Sequence, residues 1–175
     1  TLDVIAEMKG VDPLDALFDL LIEENGEIHI ANKVMKDIKK QLTWSIAMPS
    51  TDGGSTAKPG STRRVRPSAF SGFSDALIWV RDEKQVTLED MIRKMTSLAA
   101  HSLRLRDRGL IKEGLRADLT VFDLKNVKSL CTYENDARPA YPEGIPYVIV
   151  NGVPVIDDNK LTDALPGMVL RHSSA

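Results

Sequence analysis

The chain has 175 residues, of which 42% are hydrophobic and 27% are charged, and its 25 acidic and 23 basic residues give a formal net charge of −2. This composition is too apolar for a disordered chain, and the near balance of charge argues against a dedicated nucleic-acid binder. No apolar run approaches the roughly 18 residues of a membrane span, and the length falls short of the roughly 250 residues of a complete (β/α)₈ barrel.

A single cysteine, Cys131, excludes an intramolecular disulfide and a metal cage built from cysteines alone. We therefore expect a reducing, cytoplasmic setting, and no basic-then-apolar signal segment opens the chain. The sequence begins Thr1-Leu2-Asp3, without an initiator methionine. This start predicts a chain cut from a longer one, although processing would give the same appearance.

Four elements are predicted in the first 50 residues, and the clearest is a helix that begins at Asp12. Asp12 offers an N-cap, Pro13 occupies the first helical position, and apolar residues then recur at helical spacing. Asn25-Gly26 predicts the end of this helix, because glycine tolerates the left-handed conformation. The other three elements are a short strand at 27–31, a lysine-rich surface helix at 33–41 and an apolar strand at 44–48.

Residues 53 to about 74 are rich in Gly, Ser, Thr and Pro, and they include the basic residues Lys58, Arg63, Arg64 and Arg66. A loop this long inside a compact domain is uncommon, and such loops are usually functional or disordered. Two interpretations stay open. The loop either holds a carboxylate or phosphate through its basic side chains, or it is a solvated, mobile segment.

A helix and a hairpin are predicted after this loop. Thr87 can cap the amide of Asp90 at the start of a helix that includes His101. Asn151-Gly152 lies between two apolar runs and is typical of a type I′ hairpin turn, because both central positions need a positive φ. The first two thirds of the chain therefore indicate an α/β fold and the last third β structure, with strands at 119–122, 147–150 and 153–156.

Few residues point to chemistry, and Asp52 is the main one. The sequence has no HxH, HExxH, GxSxG, GxxxxGK or CxxC motif, and its three histidines are scattered. Asp52 follows an apolar strand candidate and precedes a long loop and a helix. At the C-terminal end of a barrel strand, such a carboxylate can bind a metal or take a proton from a metal-bound water. The alternative is a structural turn residue, as Asp-Gly pairs commonly are.

Seven motifs occur in the order in which one enzyme family carries them. They are MPSTDG at 48–53, MTSLAA at 95–100, DRGLI at 107–111, GLRADLTVFD at 114–123, YPEGI at 141–145, VIVNG at 148–152 and LPG at 165–167. Together they resemble the C-terminal part of the N-acyl-D-amino-acid deacylases, the D-aminoacylase group of the amidohydrolase superfamily. The resemblance covers nearly the whole chain.

The resemblance implies an α/β fold in two parts. Residues 1–110 would form the C-terminal part of a metal-dependent (β/α)₈ barrel, with a flexible loop at about 53–74, and residues 111–170 would supply strands of a small β-sandwich. It also implies hydrolysis of the amide of an N-acyl-D-amino acid, a small-molecule substrate, by a zinc-activated water. Asp52 matches the aspartate that touches the metal centre and moves the proton. Asp118 matches a position that caps or turns and does not catalyse.

The chain departs from the family in the loop after Asp52. The family often has His-Pro-Arg there, whereas this chain has Arg66-Pro67-Ser68. Arginine is always protonated and cannot be a neutral metal ligand. We therefore expect Arg66, together with Ser68, to bind substrate, with Arg66 pairing with its carboxylate.

One carboxylate cannot hold a catalytic zinc, which needs about three protein ligands. We therefore expect the isolated chain to bind no zinc tightly and to be inactive, with the remaining ligands in a missing N-terminal portion. The competing hypothesis is a non-catalytic structural module that self-associates into a homo-oligomer, because a severed barrel exposes apolar surfaces. Nucleic-acid binding through Arg63-Arg64-Val65-Arg66 is disfavoured, since the cluster is short and the chain is acidic. No membrane partner is expected.

Overall fold

The computed structural model describes residues 2–24, 35–53, 59–62 and 64–171. The chain divides into two compact units, Thr1–Ile38 and Lys39–Ala175. The predicted boundary near residue 110 lies inside the second unit and stays a prediction. Within the described residues, no helix is both long and apolar enough to cross a membrane.

The first unit is a pair of helices that pack against each other, α1 at Leu2–Lys9 and α2 at Pro13–Glu23. The side chain of Asp12 accepts a hydrogen bond of 2.9 Å from the amide of Leu14, which confirms the predicted N-cap. The predicted helix end at 25–26 and the predicted strand at 27–31 lie outside the described residues. Helix α3, Met35–Leu42, confirms the described part of the helix predicted at 33–41.

The strand predicted at 44–48 does not form, and this stretch is turn and coil. Its amides bond locally: Trp44 N–H donates to the carbonyl of Gln41 at 3.0 Å, and Ala47 N–H donates to that of Trp44 at 3.1 Å. A strand exists only when a neighbouring strand pairs with it, and no described segment does so here. The prediction of a strand is therefore wrong, and the large apolar side chains of the run, Trp44, Ile46 and Met48, are exposed.

Three further helices lie in the second unit: α4 at Ser68–Glu83, α5 at Leu88–Met95 and α6 at Ser97–Ser102. The predicted Thr87 cap is confirmed, because its hydroxyl accepts from the Asp90 amide at 3.2 Å. The helix predicted to run on to His101 is wrong, since it breaks at Thr96 and His101 lies in α6. The core side chains are Ala76, Trp79, Val80, Val86 and Met91, with Leu42, Leu88 and Met95 packed against them.

The C-terminal part is a four-stranded antiparallel sheet in the order β1-β2-β3-β4. The predicted hairpin is confirmed, with Asn151 at φ +49° and Gly152 at φ +83° in the turn. Phe122, predicted as the end of a strand, follows β1 directly. The strands are β1 at Leu119–Val121, β2 at Tyr147–Val150, β3 at Val153–Asp157 and β4 at Lys160–Leu161.

Candidate active site

Asp52 lies in an exposed turn and forms an ion pair with Arg66. Its backbone has φ +48°, which is unusual for a residue other than glycine, and its side chain is 79% exposed. Nη1 of Arg66 donates to Oδ2 of Asp52. The two residues that the sequence assigned to catalysis and to substrate binding are therefore in direct contact.

The turn that carries Asp52 packs on the first turn of α4. Ser68 Oγ donates to the carbonyl of Thr51 at 2.7 Å, so this hydroxyl holds the turn in place. A Cβ built on Gly53 lies 2.5 Å from Cβ and 2.6 Å from Cα of Ala69, a separation that real side chains do not reach. Only glycine lets the Asp52 turn approach the helix this closely.

Helix α4 starts inside the region predicted as loop. The predicted loop at 53–74 is wrong for 68–74, which are helical. Pro67 occupies the N-cap position with helical φ and ψ and no side-chain cap, and its carbonyl accepts from the amides of Phe70 and Ser71 at 2.9 and 2.8 Å. Because the proline ring fixes φ near its helical value, it starts the helix without the capping side chain that sequence patterns detect.

A second segment, residues 132–139, supports the chain just before Arg66. Val65 N–H donates to the carbonyl of Ala137 at 3.0 Å, and Arg64 pairs with Asp136. Sequence reasoning singled out neither Asp136 nor Ala137. No local signal marks them, because they lie about 70 residues from the loop that they contact.

Asp118 holds the hairpin turn through hydrogen bonds to two residues. Its Oδ1 accepts from the amide of Asn151 at 2.7 Å, and its Oδ2 accepts from Arg108. These contacts confirm the capping role that the resemblance implied. Asn151 Nδ2 in turn donates to the carbonyl of Pro166 at 2.8 Å, which ties the hairpin to the segment after the sheet.

The other candidate ligands are dispersed. His101 is exposed on α6, whereas His29 and His172 lie outside the described residues. Cys131 is fully buried, and burial raises the pKa of its thiol, so it is an inert core residue. Among the described residues, no three His, Cys, Asp or Glu side chains come together in a group able to hold a metal ion. Asp52, exposed and paired with Arg66, does not by itself fit a zinc site.

Comparison with known proteins decides the family. The model of the Amidohydrolase family matches residues 55–156, which is more than half of the chain. The chain belongs to the amidohydrolase family. The match includes Arg66 and Ser68 and extends through β1 and β2 into β3, whereas Asp52 lies just before it.

Relatives within the amidohydrolases are deacylases of N-acyl-D-amino acids. An N-acyl-D-aspartate deacylase of Alcaligenes xylosoxydans is 35% identical over 128 residues, which is 73% of this chain and 25% of the relative. A solved D-aminoacylase structure matches 93% of this chain with 27% identity and a TM-score of 0.72, and the match covers 32% of the D-aminoacylase chain.

A third relative has been solved with bound ligands. It is the N-acyl-D-glutamate deacylase of Bordetella bronchiseptica, in complex with zinc and a phosphonate that mimics the tetrahedral intermediate. The match covers 88% of this chain and 31% of the deacylase chain, with 26% identity and a TM-score of 0.67. The chain thus spans a quarter to a third of the length of these relatives. The resemblance to the deacylase group is confirmed.

Proposed function

We propose that this amidohydrolase chain is the C-terminal part of a zinc-dependent hydrolase that cleaves the amide bond of N-acyl-D-amino acids. In this proposal, residues 1–110 complete a (β/α)₈ barrel and residues 111–170 contribute strands to a β-sandwich. The relatives support the substrate class, since the ones described above are deacylases of this kind or a D-aminoacylase. The contact between Asp52 and Arg66 is the observation that carries the proposal.

Asp52 is the proton-transferring residue in this function. Hydrolysis of an amide needs a base that takes a proton from the attacking water and returns it to the departing amine. An exposed carboxylate in a turn braced by α4 can do both, because solvent and substrate reach it while its backbone stays fixed. Zinc would activate the water; Asp52 would be one of its ligands, and the others would lie outside the described residues. The isolated chain is then inactive and holds no zinc tightly.

Arg66 binds the substrate carboxylate in this function. Its side chain is 44% exposed, and in the absence of substrate its charge is met by Asp52. A guanidinium pairs well with a planar carboxylate, so the substrate can replace Asp52 as the partner of Arg66. This exchange frees the Asp52 carboxylate for proton transfer when substrate arrives. Ser68 contributes by bracing the Asp52 turn through Thr51.

The test replaces Arg66 in the native polypeptide that carries this chain, assembled with zinc. We expect Arg66→Ala to raise KM for an N-acyl-D-amino acid by about tenfold or more, because a charge-assisted hydrogen bond contributes about 1.5–3 kcal/mol. The same variant should leave the affinity for the matching N-acyl amine, which lacks the carboxylate, unchanged. Arg106→Ala, at an exposed arginine far along the sequence, is the control. An unchanged KM in Arg66→Ala contradicts the role of Arg66.

The second candidate is a self-association module, and the exposed apolar side chains of the first unit favour it. Val4 and Met8 on α1, and Leu14, Phe18 and Ile22 on α2, are all more than half exposed. The three α2 residues recur every four positions and form one stripe, and stripes of this kind are usually covered by a partner. Light scattering on the purified chain tests it. We expect a dimer or larger species that Phe18→Lys converts to monomer, whereas a monomeric wild-type chain contradicts the idea.

A further inference from the structure

Residues 132–139 form a tightly bonded turn with an unusual backbone, which we call the 132–139 turn. Asp136 and Ala137 have φ of +58° and +51°, and two consecutive left-handed residues other than glycine are costly. Local bonds maintain this conformation, since Asp136 N–H donates to the carbonyl of Tyr133 at 3.1 Å and Ala137 N–H donates to that of Thr132 at 2.8 Å. Ala137 is also buried, so packing around its side chain helps to hold the two left-handed residues in place.

The 132–139 turn contacts the segment before Arg66 at four points. Two are backbone hydrogen bonds, from Val65 N–H to the carbonyl of Ala137 at 3.0 Å and from Gly60 N–H to that of Pro139 at 3.3 Å. The other two involve charged side chains. Asp136 pairs with Arg64, and Arg138 donates to the carbonyl of Thr62.

Asp136 is central to these contacts because it pairs with arginines from both segments. Its Oδ1 accepts from Arg64, and its Oδ2 lies 2.7 Å from Nη2 of Arg138. The hydrogen bond from Arg64, followed by that from Arg138, holds the pKa of the Asp136 carboxyl below its ordinary value. Asp136 therefore stays charged at neutral pH and keeps both arginines in place.

We infer that Asp136 is a positioning residue: through Arg64 and the adjoining Val65–Ala137 hydrogen bond, it places Arg66 beside Asp52 for recognition of a substrate carboxylate. The chain of contacts is short, since Arg66 directly follows Val65. The left-handed backbone at Asp136 and Ala137 aims the Ala137 carbonyl at the Val65 amide. This inference rests on the proposed function for the identity of the group that Arg66 binds. The position of Arg66 beside Asp52 does not depend on that function.

The experiment is NMR on the full 175-residue chain, with three variants. Asp136→Asn removes the charge but keeps a side chain that tolerates a left-handed backbone. Arg64→Ala removes one partner and leaves Asp136 intact. Asp158→Asn is the matched control, because Asp158 also has a left-handed backbone, at φ +45° in the turn between β3 and β4. The readouts are amide exchange at Val65 and the Nε–H resonance of Arg66, with the Asn151 amide as an internal reference.

We expect Asp136→Asn to accelerate amide exchange at Val65 by about fivefold and to shift the Arg66 resonance. An exposed ion pair changes the equilibrium constant for local opening by up to about fivefold. Arg64→Ala should give a smaller effect, and the double variant should add little beyond Asp136→Asn. The Asn151 amide should not change. The inference is overturned if Asp136→Asn leaves exchange at Val65 unchanged. It is also overturned if Asp136→Asn accelerates exchange at Asn151 as much as at Val65, or if Asp158→Asn accelerates exchange at Val65 equally.

Adding N-acetyl-D-alanine to the wild-type chain separates this inference from the proposed function. A shift of the Arg66 resonance with this probe, and none with N-acetylethylamine, supports carboxylate recognition by Arg66. If neither probe shifts the Arg66 resonance while Asp136→Asn still releases Val65, the substrate role of Arg66 fails and the positioning role of Asp136 stands.

Discussion

Lys94 donates from Nζ to the carbonyl oxygen of Leu42 at 2.5 Å, although its side chain has no exposure to solvent. Asp90, 3.0 Å away, supplies the opposite charge. The neighbouring Arg93 donates to the carbonyl of Ser45 at 2.6 Å. Helix α5 therefore binds the end of α3 and the residues after it, at the start of the stretch that leads to Asp52.

We predict that Lys94→Met lowers the free energy of unfolding by about 1–3 kcal/mol, because removing the fully buried ammonium group leaves a polar acceptor without its donor. The Leu42 carbonyl loses its donor, and Asp90 keeps only Arg93. Urea unfolding followed by circular dichroism measures the change. Lys112→Met, at an exposed lysine, is the control, and equal stability of the two variants would show that the buried contact contributes little.

Asp90 should make the stability depend on acid pH. The hydrogen bond from Lys94, and to a lesser extent that from Arg93, holds the pKa of Asp90 below its usual value. The stabilisation is therefore complete above the unfolded pKa of about 3.9, and it is lost as the pH falls through the lower native pKa. We expect the wild-type chain to lose more stability than Asp90→Asn between pH 6 and pH 3. Urea titrations at the two pH values measure the free energy of unfolding. An equal loss in the wild-type chain and in Asp90→Asn would contradict this prediction.

Gly53→Ala should destabilise the Asp52 turn. The added methyl group would lie 2.5 Å from the Cβ of Ala69, so the turn or α4 must shift, at a cost of about 1–3 kcal/mol. Gly167→Ala is the matched control, since nothing lies within 4 Å of a Cβ at that position. Thermal melts compare the two. A melting temperature for Gly53→Ala as high as that of the control would argue against a close approach.

Asp118→Ala should weaken the hairpin without affecting proton transfer. It removes the acceptor of the Asn151 amide and one partner of Arg108, which we expect to cost about 1–2 kcal/mol. Asp118→Asn keeps an oxygen acceptor and should recover part of this loss. Unfolding experiments give the stabilities. A large fall in kcat of the native polypeptide at unchanged stability would instead assign Asp118 to catalysis.

Local signals in the sequence were sufficient for several elements. Asp12 and Thr87 cap their helices as predicted, and Asn151-Gly152 forms the predicted hairpin turn, because each depends on residues only a few positions apart. The break at Thr96 was missed. Its hydroxyl donates back to the carbonyl of Ile92 at 2.7 Å, an interaction that bends helices but leaves the apolar spacing intact.

Features that depend on distant partners could not be predicted from the sequence. The stretch 44–48 has the apolar pattern of a strand, but a strand also needs a neighbour that the pattern does not reveal. Lys94 was unremarkable in a charged helix, since lysines are rarely buried. At the candidate site, Asp52 and Arg66 were singled out, whereas the support from Asp136 depends on contacts across about 70 residues.

The most direct test of the account is the rate of N-acyl-D-amino-acid hydrolysis by the native polypeptide with Asp52 replaced by Asn. Asparagine keeps the shape of the side chain and tolerates the left-handed backbone, but it cannot accept the proton. We predict that kcat falls by about 10²–10⁴-fold with zinc bound and with the fold unchanged, while Asp157→Asn on β3 keeps wild-type activity. Wild-type kcat in Asp52→Asn would contradict the central claim that Asp52 transfers the proton.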